Sequence, residues 1–340
     1  MKKNIFKQCC FIFTLLVFVY SSPLFGQAPV ITSVSPTKAV AGAVISINGS
    51  NFGTVSDSVV VYFGSVRATV TSVVNNVIKA NLPAGAAYQP VSVTVKGLTS
   101  YSPLPFLPTF TGITDGFSAA SFDAGIDFST AGASTAVATG DVDGDGKPDI
   151  VTANHDAKNI SILRNTSTSG HILLGGAINY TLTTQPVNVT LADVDGDGKP
   201  DIVVSSEPNS VSIFRNTSTP GIISFAANID LVSDNNTQAV KVADIDGDGK
   251  PDVIVTNNIS TTFSIFPNVS TRGHIAFGVK TDITTNNLLL GLGIGDFDGD
   301  GKIDVAVTTT DAEQVSVFRN TSTPGNFTFT DRIDYPVNTQ

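Results

Sequence analysis

The stretch Asp141-Val-Asp-Gly-Asp-Gly-Lys-Pro-Asp149 decides how the rest of the chain is read. It returns at Asp193–Asp201, at Asp244–Asp252 with Ile in the second place, and at Asp296–Asp304 with Phe297 in the second place and Ile303 for Pro. The copies start 52, 51 and 52 residues apart. A near-constant period of this size marks a repeat architecture, in which each unit is one supersecondary module stacked on the next. Carboxylates stand at places 1, 3, 5 and 9 of each copy. Glycines at places 4 and 6 let the backbone turn back through conformations that a Cβ resists. Hard oxygen donors so arranged suit Ca²⁺, which takes about six to eight oxygen ligands. The expected ligands are Asp141, Asp143, Asp145 and Asp149, with the backbone carbonyl of Lys147. In the second copy they are Asp193, Asp195, Asp197, Asp201 and Lys199. The third offers Asp244, Asp246, Asp248, Asp252 and Lys250, and the fourth Asp296, Asp298, Asp300, Asp304 and Lys302. One Ca²⁺ per complete repeat, four in all, is the expectation.

The first half of this loop is shared with an EF-hand, but the twelfth place is Thr152, Val204, Val255 or Val307, never the bidentate Glu an EF-hand uses. Strand-forming residues flank it, where an EF-hand has helices. Asp-Gly clusters also make ordinary turns; four copies that keep every acidic place favour metal. The ligand set is closed and rich in carboxylate, with no evident place for a substrate, so the metal reads as structural.

Composition points the same way. Apolar residues are 41% and charged ones 14%, with 30 Gly, no Trp and many β-branched residues, a mix that favours strands and turns over helices. The expected fold class is all-β. The net charge of −10 leaves no basic stripe for nucleic acid, and four divalent cations would offset most of it. Both cysteines are Cys9 and Cys10. They fall in a segment with lysines at 2, 3 and 7, an apolar run from Cys9 to Tyr20 and small residues near Gly26, the layout of a secretory signal peptide over residues 1–26. The run is short for a membrane span, and no other stretch reads as transmembrane. An exported chain without disulfides can use metal ions as cross-links.

Residues 29–100 read as about seven short strands, a sandwich. The segment Ile31–Pro36, Gly42, the turn Gly49-Ser-Asn-Phe-Gly53, Phe63-Gly64, and Leu82-Pro83 before Val91–Val95 resemble the IPT/TIG immunoglobulin-like family. That resemblance implies a spacer or interaction module, with Phe52 and Phe63 in its core. Tyr101-Ser-Pro-Leu-Pro-Phe-Leu-Pro108 is proline-rich, and residues 101–115 are expected to be an extended linker.

Residues 116–340 carry the repeats. Each unit is expected to open with an apolar-polar-apolar triplet: Ile126-Asp-Phe128, Ile178-Asn-Tyr180, Ile229-Asp-Leu231 and Thr281-Asp-Ile283. The polar member lies 14 residues before the first loop Asp. Two apolar strands follow the loop, and a turn such as Arg164-Asn-Thr-Ser-Thr168 closes the unit, about four strands in all and the content of one propeller blade. The triplet at Ile333-Asp-Tyr335 then predicts the start of a fifth unit and a chain cut in mid-blade. Strand–loop–strand units with this acidic pattern resemble the FG-GAP or VCBS repeat family, the blades found also in integrin α-chains. The resemblance implies Ca²⁺ at all sixteen Asp and a propeller usually of about seven blades, of which four and the start of another are present. It also implies adhesion, or capture of an extracellular protein or carbohydrate ligand, without catalysis. A second expectation is the non-catalytic portion of a secreted polysaccharide-degrading enzyme. His155, His171 and His274 are read as falling at unrelated places in their units. The Asn-Thr-Ser sequons at Asn165, Asn216 and Asn320 are read as turn chemistry.

Overall fold

The computed structural model describes residues 28–109 and 124–337. The expected signal peptide at residues 1–26 lies outside them, as does the 110–115 end of the expected linker. Twenty-four strands and one short 3-10 turn make up the described secondary structure. No described helix is long and apolar enough to cross a membrane.

Strands β1 (Val30–Ser35), β2 (Lys38–Val40), β3 (Val44–Ser50), β4 (Val59–Phe63), β5 (Val66–Val74), β6 (Val77–Asn81), β7 (Gln89–Val95) and β8 (Leu98–Thr109) form the sandwich, in the order β1-β3-β6-β5-β4-β7-β8-β2. β5 (Val66–Val74) serves both faces: its first half pairs with β4 (Val59–Phe63) and its second with β6 (Val77–Asn81). A register shift at Val70/Ser72 is the bend that lets one strand turn the corner. Ile45, Ile47, Phe52, Phe63, Ile78 and Phe106 are fully buried between the faces, and Phe63 meets Phe106 edge to face at 5.0 Å. Both aromatic residues expected in the core are there. Gly49 in β3 (Val44–Ser50) is required sterically, since a Cβ there would lie 1.8 Å from the Val30 carbonyl oxygen.

The linker expectation needs correction. β8 runs from Leu98 to Thr109, pairing antiparallel with β7 (Gln89–Val95) and parallel with β2 (Lys38–Val40). Prolines 103, 105 and 108 are tolerated because extended backbone suits them and β8 lies near the sheet edge. Phe106 anchors the strand in the core, so the sandwich reaches at least to Thr109.

The remaining strands form four antiparallel four-stranded sheets: β9 (Ser134–Gly140), β10 (Asp149–Asn154), β11 (Asn159–Leu163) and β12 (Ile178–Thr181); β13 (Gln185–Ala192), β14 (Asp201–Glu207), β15 (Ser210–Phe214) and β16 (Ile229–Val232); β17 (Thr237–Ala243), β18 (Asp252–Asn257), β19 (Thr262–Phe266) and β20 (Thr281–Thr284); and β21 (Leu289–Gly295), β22 (Asp304–Thr309), β23 (Gln314–Phe318) and β24 (Ile333–Pro336). In each the first strand packs against the first strands of its neighbours, so the sheets fan out as blades. The second strands β10 (Asp149–Asn154), β14 (Asp201–Glu207) and β18 (Asp252–Asn257) are buried almost throughout, whereas β22 (Asp304–Thr309), in the last described blade, leaves Ala306 half-buried and Thr308 exposed. Their near-continuous Val and Ile runs are what a strand covered on both faces needs. Each seam has its own core. Ile160 and Ile162 meet Ile202 and Phe214 at the first, Val203 and Ile213 meet Val240 and Val255 at the second, and Ile254 and Phe263 meet Val305 and Phe318 at the third.

The phase of the repeat also differs from expectation. Ile178–Thr181, Ile229–Val232, Thr281–Thr284 and Ile333–Pro336 are the outer strands β12, β16, β20 and β24 of the preceding blades. The polar member of each triplet holds the third strand's serine: Ser161 donates to Asn179 at 2.8 Å, Ser212 to Asp230 at 2.6 Å, Ser264 to Asp282 at 2.5 Å and Ser316 to Asp334 at 2.6 Å. The triplet therefore closes a blade. Ile333-Asp-Tyr335 completes the fourth rather than starting a fifth, and Ile126-Asp-Phe128 lies in no strand.

Candidate metal centre

Each acidic loop joins the first and second strands of its blade. Gly140 pairs with Asp149, Ala192 with Asp201, Ala243 with Asp252 and Gly295 with Asp304, so the loop is a hairpin closed at place 9. Inside it three bonds recur. The place-6 Gly N–H donates to the place-1 carboxylate, the place-5 N–H to place 3, and the Lys N–H at place 7 to place 5, all at 2.8–3.1 Å. Glycines 4 and 6 sit at φ between +69° and +91° in all four copies, which allows this winding.

The winding gathers carboxylates. One oxygen each from Asp141, Asp143 and Asp149 lies within 4.8 Å of the others in the first loop. In the other three the trio is places 1, 3 and 5: Asp193, Asp195 and Asp197; Asp244, Asp246 and Asp248; Asp296, Asp298 and Asp300. Two buried oxygens, Asp141 Oδ1 and Asp195 Oδ2, have no hydrogen-bond partner, in residues only 1% and 3% exposed. A buried charged acceptor left unpaired is costly, and a cation in the cluster would satisfy Asp141 Oδ1; Asp195 Oδ2 stands where Asp143 Oδ2 accepts from Arg164 and Gly221 in the first repeat. The donor set is all oxygen, as hard cations require. The residues fit Ca²⁺.

Place 9 does something the sequence pattern hid. Asp149, Asp201, Asp252 and Asp304 each accept the place-2 N–H on one oxygen and, on the other, the N–H of the Asn that opens the Asn-x-Ser turn, at 2.8–3.0 Å. They clamp the backbone of loop and turn together. The arginines before that turn were read only as turn residues. Arg164 donates to Asp143 at 2.5 Å and to Asp145 at 2.6 Å, and Arg319 pairs likewise with Asp298 and Asp300. The third repeat has Pro267 at this place and lacks the counter-charge. The lysine side chains turn elsewhere: Lys199 and Lys302 donate to the Ser218 and Ser322 carbonyls at 2.8 and 2.7 Å.

The turn asparagines bridge blades. Asn216 donates both amide hydrogens, to Pro200 O of its own loop and to Val142 O of the preceding one, each at 2.8 Å. Asn268 does the same with Pro251 and Val194, and Asn320 with Ile303 and Ile245. Asn216 and Asn320 are fully buried with both N–H groups engaged, so these sequons are not glycan acceptors in the folded chain. The histidines need correction too. His171 and His274 are equivalent, facing Thr168 and Thr271 across the same small turn.

Burial sets the electrostatics. Desolvation pushes the Asp149, Asp193 and Asp244 carboxyls from 3.8 up to about 7, and Asp252 to about 8, with neighbouring loop carboxylates adding to the rise. In the exposed fourth loop the Arg319 hydrogen bond instead holds Asp298 below its usual value. A carboxyl raised on folding binds its proton more tightly in the folded state. Its contribution to stability is full below the unfolded value near 3.8 and is lost as pH rises through about 7. Protein stripped with EGTA should therefore melt at higher temperature near about pH 5 than near about pH 8, and the gain from added Ca²⁺ should grow across that range. Calorimetric melts at stepped pH with and without Ca²⁺ check this; a gain that shrinks toward alkaline pH would contradict it.

A fan of four-stranded blades, each with an acidic hairpin loop at one end, behind an immunoglobulin-like sandwich, defines a β-propeller-type repeat protein. Residues 141–204, 193–255 and 272–340 match the FG-GAP-like repeat model, more than half of the chain, and residues 29–107 match that of the IPT/TIG domain. The chain belongs to the FG-GAP-like repeat family. Among curated proteins none matches it. Solved structures similar to it include a structural genomics protein of unknown function from Bacteroides thetaiotaomicron (14% identity, 91% of this chain and 72% of that one, TM-score 0.35). An auxiliary nutrient binding protein from the same organism aligns at 10% identity over 89% of this chain and 86% of that one, with a TM-score of 0.28. The rhamnogalacturonan lyase PL11 of Bacillus licheniformis aligns at 14% identity, 90% and 66% coverage and a TM-score of 0.35.

Proposed function

We propose that this chain is a secreted or cell-surface calcium-binding protein that serves adhesion or the capture of a protein or carbohydrate ligand, with one Ca²⁺ stabilising each blade. The carboxylates at places 1, 3 and 5 hold the ion, place 9 closes the loop behind them, and in the first loop Asp149 joins the ligand set. The ion supplies neutralisation and a cross-link between two strands; the chain's own residues set its position. The observation that carries the calcium reading is the gathering of three carboxylates in each loop together with the unpartnered, buried Asp141 Oδ1. Export is supported by the signal-like segment at residues 1–26 and by cysteines confined to it. A binding rather than catalytic role is supported by the pairing of FG-GAP-like repeats with an IPT/TIG module.

Calorimetric titration of EGTA-stripped protein with CaCl₂ tests the first half of the proposal, with four sites expected, one for each acidic cluster. Absence of stoichiometric binding would refute it. Arrays of glycans and extracellular-matrix proteins, probed with the loaded protein, test the second half; no retention in either class counts against adhesion.

A further inference from the structure

The four loops are not in equivalent surroundings. The sandwich rests on three of them. Asp141 N–H, at the first place of loop one, donates to Ser65 O at 3.1 Å. Tyr62 donates its hydroxyl to Gly198 O, at the sixth place of loop two, at 2.6 Å. Thr99 N–H donates to Gly249 O, at the sixth place of loop three, at 2.9 Å.

Steric contacts follow the same path. A Cβ on Gly196 would lie 2.4 Å from Gly97 Cα, one on Gly198 3.0 Å from Val60, and one on Gly249 3.3 Å from Leu98. The fourth-loop glycines, Gly299 and Gly301, have nothing within 4 Å of the same position, and neither have Gly144 and Gly146 of loop one, which meets the sandwich at Pro148 instead, 3.0 Å from a Cβ on Gly85. Asp296, Asp298 and Asp300 are all exposed, whereas the other three clusters are buried or half-buried, covered by the sandwich and by the turn of the next blade, whose Gly221 and Gly325 N–H groups reach Asp143 and Asp246. Both unpartnered oxygens belong to covered loops.

The contacting sandwich residues are not part of its core. Val60 and Tyr62 alternate along β4 with the core residues Val59, Val61 and Phe63, so they present the opposite face of that strand.

The geometry points to a mutual lock: cations in loops one to three hold the sandwich on the blades, and the sandwich in turn holds those cations, leaving the fourth loop to exchange with solvent. This rests on the calcium reading above. Coupling between two binding events is reciprocal, so if the ions strengthen docking, docking must slow their loss or tighten their binding.

Terbium, a luminescent stand-in for Ca²⁺, tests this in the full chain. The chain has no Trp, so luminescence excited through the protein must come by way of tyrosine, and Tyr62 lies against loop two. The expected result is bound Tb³⁺ sensitised through tyrosine and released by chelator in two phases, the slower covering three of the four acidic clusters. Tyr62→Phe should keep the ions and lose part of the sensitised emission, the remainder coming through Tyr101, which lies near Asp193 and Asp244. Val60→Glu, which sets a carboxylate against loop two outside the sandwich core, should speed the slow phase about tenfold and leave the fast phase unchanged.

One release phase for all ions, or unchanged release in a folded Val60→Glu protein, overturns the lock while leaving the calcium reading intact. Should Val60→Glu fail to fold, an unchanged slow phase in folded Tyr62→Phe, which lacks the hydrogen bond to Gly198 O, overturns it equally. No Tb³⁺ bound on direct excitation overturns both.

Discussion

Adding millimolar CaCl₂ to EGTA-stripped protein should raise its thermal unfolding midpoint by about 10 °C or more. A ligand that binds only the folded state, present at a hundredfold over its Kd, stabilises it by about 2.7 kcal/mol per site. In a unit of about 200 residues each kcal/mol moves the midpoint by about 2–4 °C, so even two filled sites reach that size. The physical source is the uncompensated charge of the loops. Asp141, Asp193, Asp195, Asp244 and Asp248 are all pushed up by burial, with neighbouring carboxylates adding to it. Calorimetry in Ca²⁺, in EGTA and in Mg²⁺ checks it. Equal midpoints in Ca²⁺ and EGTA would sink the idea that the loops are metal cross-links.

Two aspartates of one loop should respond oppositely when the ion is absent. Asp201→Ala leaves the Val194 and Asn216 N–H groups without acceptors in a fully buried site, at a cost of about 1–3 kcal/mol for each orphaned donor. The loss should appear in EGTA and in Ca²⁺ alike. Asp195→Ala removes one bond, from Asp197 N–H, together with a buried oxygen that has no partner. Stability in EGTA should then stay within about 1 kcal/mol of the parent, because the lost bond is offset by relief of an unpaired charge. Its loss should appear only when Ca²⁺ is added. Denaturant unfolding of both variants, with and without Ca²⁺, separates the two roles; an equal cost in EGTA would mean that places 3 and 9 do the same work.

Much of this was legible in the sequence, for reasons that also explain what was not. The period of Asp-rich loops announced a repeat, and alternation and β-branched runs announced strands. The glycines at places 4 and 6 announced the winding that gathers carboxylates. A period has no phase, however, and nothing local in Ile178-Asn-Tyr180 says whether it opens one blade or closes another. That is decided by the serine two strands' length upstream, Ser161, which bonds Asn179. The proline run before Thr109 was read by composition, while one aromatic residue, Phe106, settles its place in the sandwich. Arg164 and Arg319 stand beside the repeated turn motif, 23 residues after the first Asp of their loops. That regular spacing was the available sign of their pairing. The resting of the sandwich on three loops joins residues 76 to 150 apart, Ser65 with Asp141 and Thr99 with Gly249 at the extremes, and no periodicity encodes such a contact.

The asparagine bridges bear on how such a chain can change its length. Each blade after the first carries its own donor and reaches back to a carbonyl of its predecessor. Every joint is therefore built from the same two parts, one contributed by each side. Duplicating or deleting a whole blade from first strand to outer strand leaves every remaining joint with a matched donor and acceptor. A cut made between the loop and the Asn-x-Ser turn leaves one of each unmatched. Recombination of genes for such arrays should thus tolerate changes in the number of units while preserving where each unit begins, so that blade count drifts and blade frame does not.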